Sequence, residues 1–417
     1  MTPKNKTRRN EPNLRFPEFR EAGEWEERKL GTVCEIQRGK FSHRPRNDPK
    51  FFGGQYPFIQ TGDVVKSAGG AVIASQSLNE EGLAVSKLFK PTIVLITIAA
   101  NIGDTGVLQT EGCFTDSVVG LIPKQDVIPV FLELIMRGQK EYLNKVATTG
   151  AQKNINNEIL REVSVLLPSV PEQQKIADCL TSLDDLITAE TQKVEALKKH
   201  KKGLMQQLFP REGETVPNLR FPEFREAGEW EEKKLDEICD VNPESSKLPE
   251  VFVYIDLEAV EAGELKANKV ISKKEAPSRA QRLLKIGDVI YQIVRPYQRN
   301  NFFFKINDGN NYVASTGYAQ LRAFESNDFL FQIVHTDEFV ERVIAKCTGS
   351  NYPAINSSDL AEIPVAIPLP PEQQKIADCL SSLDDLITAE TQKLAALKKH
   401  KKGLMQQLFP SPADVAE

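Results

Sequence analysis

The forty residues PEQQKIADCLTSLDDLITAETQKVEALKKHKKGLMQQLFP at 171–210 return at 371–410 with three changes: Thr181 to Ser381, Val194 to Leu394 and Glu195 to Ala395. Apolar residues recur at Ile176, Leu180, Leu183, Ile187, Val194, Leu197, Leu204 and Leu208, and in the second copy at Ile376, Leu380, Leu383, Ile387, Leu394, Leu397, Leu404 and Leu408. Steps of four and three residues form a heptad seam, the pattern of a helix that buries one stripe against another helix. From Glu172 to Phe209 such a helix runs roughly 57 Å at the α-helical rise, which exceeds what one small domain needs. Two matching seams in one chain predict an intramolecular coiled coil. A globular domain must be threaded between the helices, so antiparallel pairing is expected, with the domains at opposite ends. Glu190 and Lys201 interrupt the seam, as do Glu390 and Lys401; such polar residues fix register if Glu190 opposes a Lys or Arg of the other helix. Ser169 and Glu172 have capping-box spacing around Pro171, whereas the second copy has only Pro370 and Pro371. Pro210 and Pro410 stop the helices, and Gly203 and Gly403 weaken their last turns by about 1 kcal/mol each relative to Ala.

A second repeat precedes the first. PNLRFPEFREAGEWEERKL at 12–30 recurs at 217–235 with Arg28 replaced by Lys233, while residues 31–170 and 236–370 between the blocks show little identity. The chain is therefore a duplicated domain-plus-helix unit with a pseudo-two-fold internal repeat. Its scaffold is kept alike and its contents differ, as two readers of different targets require. The predicted order is a disordered tail (1–10), a first variable domain (11–170), a long helix (171–210), a linker (211–216), a second variable domain (217–370), a second long helix (371–410) and a tail (411–417).

Both inserts read as mixed α/β (α+β). In the first, Tyr56–Ile59, Thr92–Ala99 and Val118–Ile122 are predicted strands and Pro129–Val146 a helix. In the second, Val251–Ile255, Gly287–Val294 and Tyr312–Arg322 are predicted strands and Asp328–Cys347 a helix. Each insert ends in a Thr-Gly pair followed by Asn and a proline-rich exit, TTGAQKNINNEILREVSVLLP and CTGSNYPAINSSDLAEIPVAIPLP. The two are expected to share a fold and differ in surface residues. Phe302, Phe303 and Phe304 are expected in a strand or core, and Trp25 and Trp230, kept in both copies, in scaffold packing.

Composition narrows the function. The 417 residues carry a net charge of −5, which excludes nucleic-acid binding by bulk charge alone. No apolar run approaches the roughly 18 residues of a membrane span, and the basic, polar start lacks the apolar segment of a secretory signal. Six cysteines, four of them at the repeated positions Cys34/Cys239 and Cys179/Cys379, include no CxxC pair, so neither zinc nor a disulfide framework is suggested and reduced thiols in a cytoplasm fit. No GxxxxGK[ST] loop or HExxH pair is present. The nearest string to an amino-methyltransferase motif, Asn242-Pro243-Glu244, lacks the second proline and the aromatic. Among the four histidines, His200 and His400 are a repeat pair expected on a solvated helix face. No catalytic residue and no metal site is expected.

Base edges in the DNA major groove are read by Arg or Lys at guanine and by Asn or Gln at adenine. The first insert offers Gln37, Arg38, Lys40, His43, Arg44 and Arg46 in one polar segment, then Gln152, Lys153 and Asn154 beside its Thr-Gly exit. The second offers Arg295, Tyr297, Gln298, Arg299, Asn300 and Asn301, then Ser350, Asn351 and Tyr352. Taken singly, each also fits an ordinary solvated loop.

The layout resembles the specificity (S) subunit of type I restriction-modification systems. The features that carry the resemblance are the PEFR-x₂-GEWE-x₂-KL block, the Gly-Asp-Val segments at Asp63 and Asp288, the TG…N…L…P exit and the PEQQKIA helix start, over nearly all of residues 12–410. It implies two target recognition domains held apart by an antiparallel coiled coil and reading a bipartite double-stranded DNA sequence. It also implies that two modification subunits dock on the helices, and that restriction subunits carry nuclease and motor. S-adenosylmethionine, ATP and Mg are then expected on those partners, with no cofactor on this chain and no membrane. The competing class is a coiled-coil scaffold whose globular domains bind other proteins, which the acidic balance favours mildly.

Overall fold

The computed structural model describes residues 10–148, 154–244, 247–261, 263–349 and 352–410. The first copy contains β1 (Glu26–Lys29), α1 (Leu30–Val33), β2 (Cys34–Arg38), β3 (Phe52–Ile59), α2 (Thr61–Ser67), β4 (Gln76–Leu78), α3 (Glu80–Ala84), β5 (Leu88–Phe89), β6 (Ile93–Thr97), β7 (Thr105–Leu108), β8 (Gly112–Phe114) and β9 (Val118–Pro123). It continues through α4 (Pro129–Gly138), α5 (Lys140–Thr148), α6 (Asn157–Glu162) and β10 (Ser164–Leu167) into the long α7 (Val170–Leu208). The second copy contains β11 (Glu231–Lys234), β12 (Cys239–Val241), β13 (Val251–Ile255), β14 (Val260–Glu261), β15 (Glu264–Leu265), β16 (Lys269–Ser272), β17 (Ala280–Leu283), β18 (Val289–Gln292), β19 (Phe302–Phe303), β20 (Tyr312–Ser315) and β21 (Tyr318–Ala323). Then follow α8 (Asn327–Ile333), α9 (Asp337–Lys346), α10 (Ser357–Ala361), β22 (Pro364–Ile367) and the long α11 (Pro370–Leu408).

Two compact units result, one of residues up to Ala189 together with those from Leu394 onward, the other Glu190–Lys393. The cut crosses both long helices, so each unit holds the start of one and the end of the other.

In the first unit an antiparallel sheet runs β2-β9-β6-β7, and a second runs β4-β3-β8-β5 with β3 and β8 parallel. The second unit repeats both, as β12-β21-β18-β19 and β16-β13-β20-β17. The registers coincide. Val94 opposes Leu121 as Val289 opposes Leu321, and Phe58 opposes Cys113 as Tyr254 opposes Val313. Inserts with little sequence identity thus place their alternate residues on the same faces. One face of β6 and β9 (Val94, Ile96, Val119, Leu121) packs with Phe131 of α4 and Ile176, Leu180 and Leu408 of the long helices. In the second unit Val289, Tyr291, Ala319 and Leu321 pack with Phe329, Ile376, Leu380 and Leu208.

The helix pairing is antiparallel within each unit. Lys401 pairs with Asp184 in the first, and Lys201 with Asp384 at 2.6 Å in the second. Also in the second unit, Glu190 meets Lys393 at 2.7 Å and Glu390 meets Lys193. Of the seam residues, Ile176, Leu180, Val194, Leu208, Ile376, Leu380, Leu394 and Leu408 are buried. Leu183, Ile187, Leu197, Leu204, Leu383, Ile387, Leu397 and Leu404 are half-buried, as two helices with open flanks allow.

Several local expectations need correction. The helix foreseen over 129–146 is two, α4 and α5, divided at Gln139. That over 328–347 is also two, because the Thr336 hydroxyl accepts from the Phe339 amide and caps a new start. Tyr312–Arg322 divides at Thr316-Gly317 into β20 and β21, which belong to different sheets. Glu172 closes no capping box with Ser169: its carboxylate is held by Arg15, 2.7 Å from both guanidinium nitrogens that reach it. The Gly-Asp-Val segments are not equivalent. Asp63 accepts the Gln60 amide at the start of α2, whereas Asp288 lies just before β18 and is bound by Gln320 and Arg322. The Asn10 and Thr215 carbonyls accept the Trp25 and Trp230 amides. Residues 1–9 and 411–417 lie outside the described residues.

Candidate nucleic-acid interface

Strands β2 and β6 leave their sheet at the end where β9 begins. The Gly39 amide donates to the Val118 carbonyl and the Ile98 amide to Ser117. In the second unit β12 and β18 leave beside the start of β21, where the Asn242 amide donates to Gln320 and Ile293 to Gly317. Most of the candidate segments collect at this sheet end in both units.

In the first unit three arginines gather on Asp116, the residue before the Ser117-Val118 turn. Arg46 reaches its carboxylate at 2.6 Å and Arg44 at 3.3 Å, while Arg38 donates to its backbone carbonyl. Arg44 also donates to the Phe41 and His43 carbonyls, which fixes the guanidinium. Lys40 is exposed, its amide held by the Phe114 carbonyl. Gly39 makes this tight path possible, since a Cβ there would lie 2.2 Å from the Thr115 carbonyl oxygen. Gln37 is half-buried and accepts from Lys87 while donating to Glu35. The His43 ring packs at a tilt against Phe51 with centroids 4.5 Å apart and faces Asp48 at 3.7 Å. It packs with Phe51 in the connection between β2 and β3 rather than joining the arginine group. Asn154 is exposed; Gln152 and Lys153 lie outside the described residues.

The second cluster divides by role. Arg295 takes a left-handed backbone (φ +58°), its amide tied to the Pro353 carbonyl and its guanidinium 4.3 Å above the Tyr352 ring. Tyr297 and Tyr352 are exposed. Gln298, Asn300 and Asn301 instead hold the loop around the buried side chain of Gln292, whose Nε2 donates to Gln298 and whose Oε1 accepts the Asn300 amide. Asn301 accepts the Gln292 amide at 2.8 Å and its side chain meets His335 Nε2 at 3.3 Å. Arg299 spans to Asp337 at 2.6 Å and to the His335 carbonyl. Ser350 and Asn351 lie outside the described residues.

Little reactive chemistry surrounds these groups. Burial pushes the Cys34 thiol up to about 12 and raises Cys239 as well; each donates to a helix carbonyl, Leu30 or Leu235, at 3.3 Å. Among the described residues no group of three or more His, Cys, Asp or Glu could hold a metal ion, and no helix is long and apolar enough to cross a membrane.

The profile of the type I restriction modification DNA specificity domain matches residues 22–199 and again 227–399. The chain belongs to this family. Among curated relatives, the MjaVIII specificity subunit of Methanocaldococcus jannaschii is 23% identical over 413 residues, covering 95% of this chain and 93% of the relative. The putative MjaX specificity subunit of the same organism is 26% identical over 425 residues, covering 96% of each. In fold, the chain is similar to the S subunit of M. genitalium, with a TM-score of 0.63, 16% identity, and 97% of this chain and 100% of that one covered.

Each match to the specificity-domain family includes one of the sheet ends described above. Sequence reasoning singled out the first sheet end at β2 and the second at the exit of β18, two different corners of one repeated edge. It missed Asp116, Lys87, Asn242 and Arg282, which stand at that edge by sheet register rather than by local composition.

Proposed function

We propose that the chain is the sequence-specific DNA-reading subunit of a type I restriction-modification complex, each unit reading one half of a bipartite target. The observation that carries this reading is the repeated sheet end, which presents Arg38, Lys40, Arg44 and Arg46 at one corner in one unit and Arg295, Tyr297 and Tyr352 at another corner in the other. In a chain of net charge −5 this local concentration of cations fits a duplex, with further backbone contact coming from partner subunits. The chain performs no chemistry of its own. Two modification subunits, docked on the repeated scaffold, supply methyl transfer with S-adenosylmethionine, and restriction subunits use ATP and Mg, all in the cytoplasm.

Exchanging residues 31–170 for another insert, in a complex with the modification subunits, tests this. Methylation mapping should show one half of the split motif changed and the other kept. A change in both halves, or in neither, would sink it. A protein-binding scaffold predicts in addition that the assembled complex shifts no duplex in a salt-dependent manner.

A further inference from the structure

The two variable domains match in register and differ in sequence, so whatever they keep in kind at the reading edge serves something their two targets have in common. Leu88 pairs with Cys113 on one side of the parallel strand pair, and Leu283 pairs with Val313 in the same place. Lys87 and Arg282, the residues just before them, are therefore equivalent, and the aligned segments SKLFK and QRLLK also keep the leucine and the final lysine. Among the described residues no carboxylate pairs with either cation. The Lys87 ammonium donates to the Gln37 amide oxygen and lies 5.0 Å from the Phe89 ring. Arg282 Nε is shielded from solvent, and among the described residues nothing accepts from it. An unmade hydrogen bond of this kind opposes folding, and burial lowers Arg282 from its ordinary value.

Both cations stand at the sheet end already described. Gln37, which Lys87 touches, opposes Gly120 on β9. Its counterpart Asn242, placed so by the β12–β21 register, accepts the Gln320 amide, and Gln320 Nε2 donates to the Leu283 carbonyl beside Arg282. The remaining polar groups of the edge differ between the units. Ala100 takes the left-handed position that Arg295 takes, and the segment after Asn242 carries one cation, Lys247, and no arginine where the first unit has Arg44 and Arg46. Two half-sites differ in their bases and share their phosphates.

We propose that Lys87 and Arg282 are equivalent phosphate contacts, one per domain, which seat the duplex backbone alike over two edges that read different bases. This rests on the DNA-reading function above. Lys87→Gln and Arg282→Gln, each assembled with the modification subunits, are titrated with a duplex carrying the methylated motif and with a scrambled duplex of equal length. Each variant should weaken both duplexes by the same factor, lower the slope of log affinity against log salt by about 0.9, and leave the methylated motif unchanged. Arg282→Lys should restore the slope. Unchanged affinity and slope overturn the proposal. So does a motif relaxed at one base pair, and so does a loss that tracks a lowered melting temperature and is not rescued by Lys. If instead the unsubstituted complex binds neither duplex, the DNA-reading function itself fails.

Discussion

Arg15 and Glu172 meet as a bidentate ion pair, 2.7 Å at both contacts, with side chains 9% and 1% exposed. Arg220 and Glu372 repeat it at 2.7 Å. In each copy the same guanidinium donates to a glycine carbonyl, Gly23 or Gly228, whose φ of +78° or +79° favours glycine. The neighbouring backbone ties to the end of the other long helix, Leu14 to Gln407 in the first unit and Leu219 to Gln207 in the second. One short block therefore grips the start of one helix and the end of another, and because the grip is made twice, its residues are nearly identical twice.

Glu172→Ala should unfold the first unit at lower denaturant, by about 3 kcal/mol, since it strands a buried charge. The two tryptophans, Trp25 and Trp230, fall one to each unit. Urea titration followed by Trp25 fluorescence in a Trp230→Phe background isolates the effect. An unchanged midpoint would show that the pair is dispensable.

Phe209 closes the second unit from the end of α7. It stacks on Phe329 at 5.7 Å and meets the Trp230 ring edge-on at 5.9 Å. With Phe209 5% exposed, Phe209→Ala should cost about 3–5 kcal/mol. Trp230 emission should shift red at lower urea in that variant, with Trp25 unaffected.

His335 makes the second unit acid-sensitive. Burial lowers it to about 4, its Nδ1 bonding the Phe331 carbonyl at 2.7 Å and Nε2 meeting Asn301. The groups facing it include Lys201, Asp384 and Arg299. An unfolded chain binds the histidine proton below about 6.5, earlier than the folded one, so stability is full above that pH and falls toward pH 4. The loss should reach at most about 3 kcal/mol. Hydrogen exchange at 298–301 between pH 6.5 and 4.5 reads it, and His335→Gln should flatten the dependence. An equal slope in that variant would assign the effect elsewhere.

The repeat made the helices, their antiparallel pairing and the two-domain order legible, because identical contacts require identical residues. Glu190 facing a lysine, Lys393, follows from the polar break in the seam. Helix breaks were not legible: α8 and α9 are both apolar enough to read as one helix, and only the Thr336 cap divides them. The proposed reading edge was half legible. Arg44 and Arg46 are conspicuous in composition, but Asp116, which gathers them, lies 70 residues from Arg46 in sequence. Composition also could not tell Arg295, displayed on Tyr352, from Asn301, folded under the loop and bound to Gln292.

That last distinction gives a test of roles within one loop. Arg295 is left-handed, so Arg295→Gly removes the guanidinium while easing the backbone, and its effect on the motif must come from the side chain. A guanidinium that reads a base contributes about 1–3 kcal/mol of discrimination, so the half-site read by the second unit should relax at one base pair, with the first half intact. Arg299 is equally basic and four residues away, but it is committed to Asp337, with side chains 35% and 36% exposed. Arg299→Ala should cost at most about 1 kcal/mol of stability and leave the motif unchanged. Methylation mapping of both variants in one host decides the assignment. If Arg299→Ala relaxes the motif and Arg295→Gly does not, the loop is read from its other side, and the Arg295–Tyr352 stack is a structural clasp.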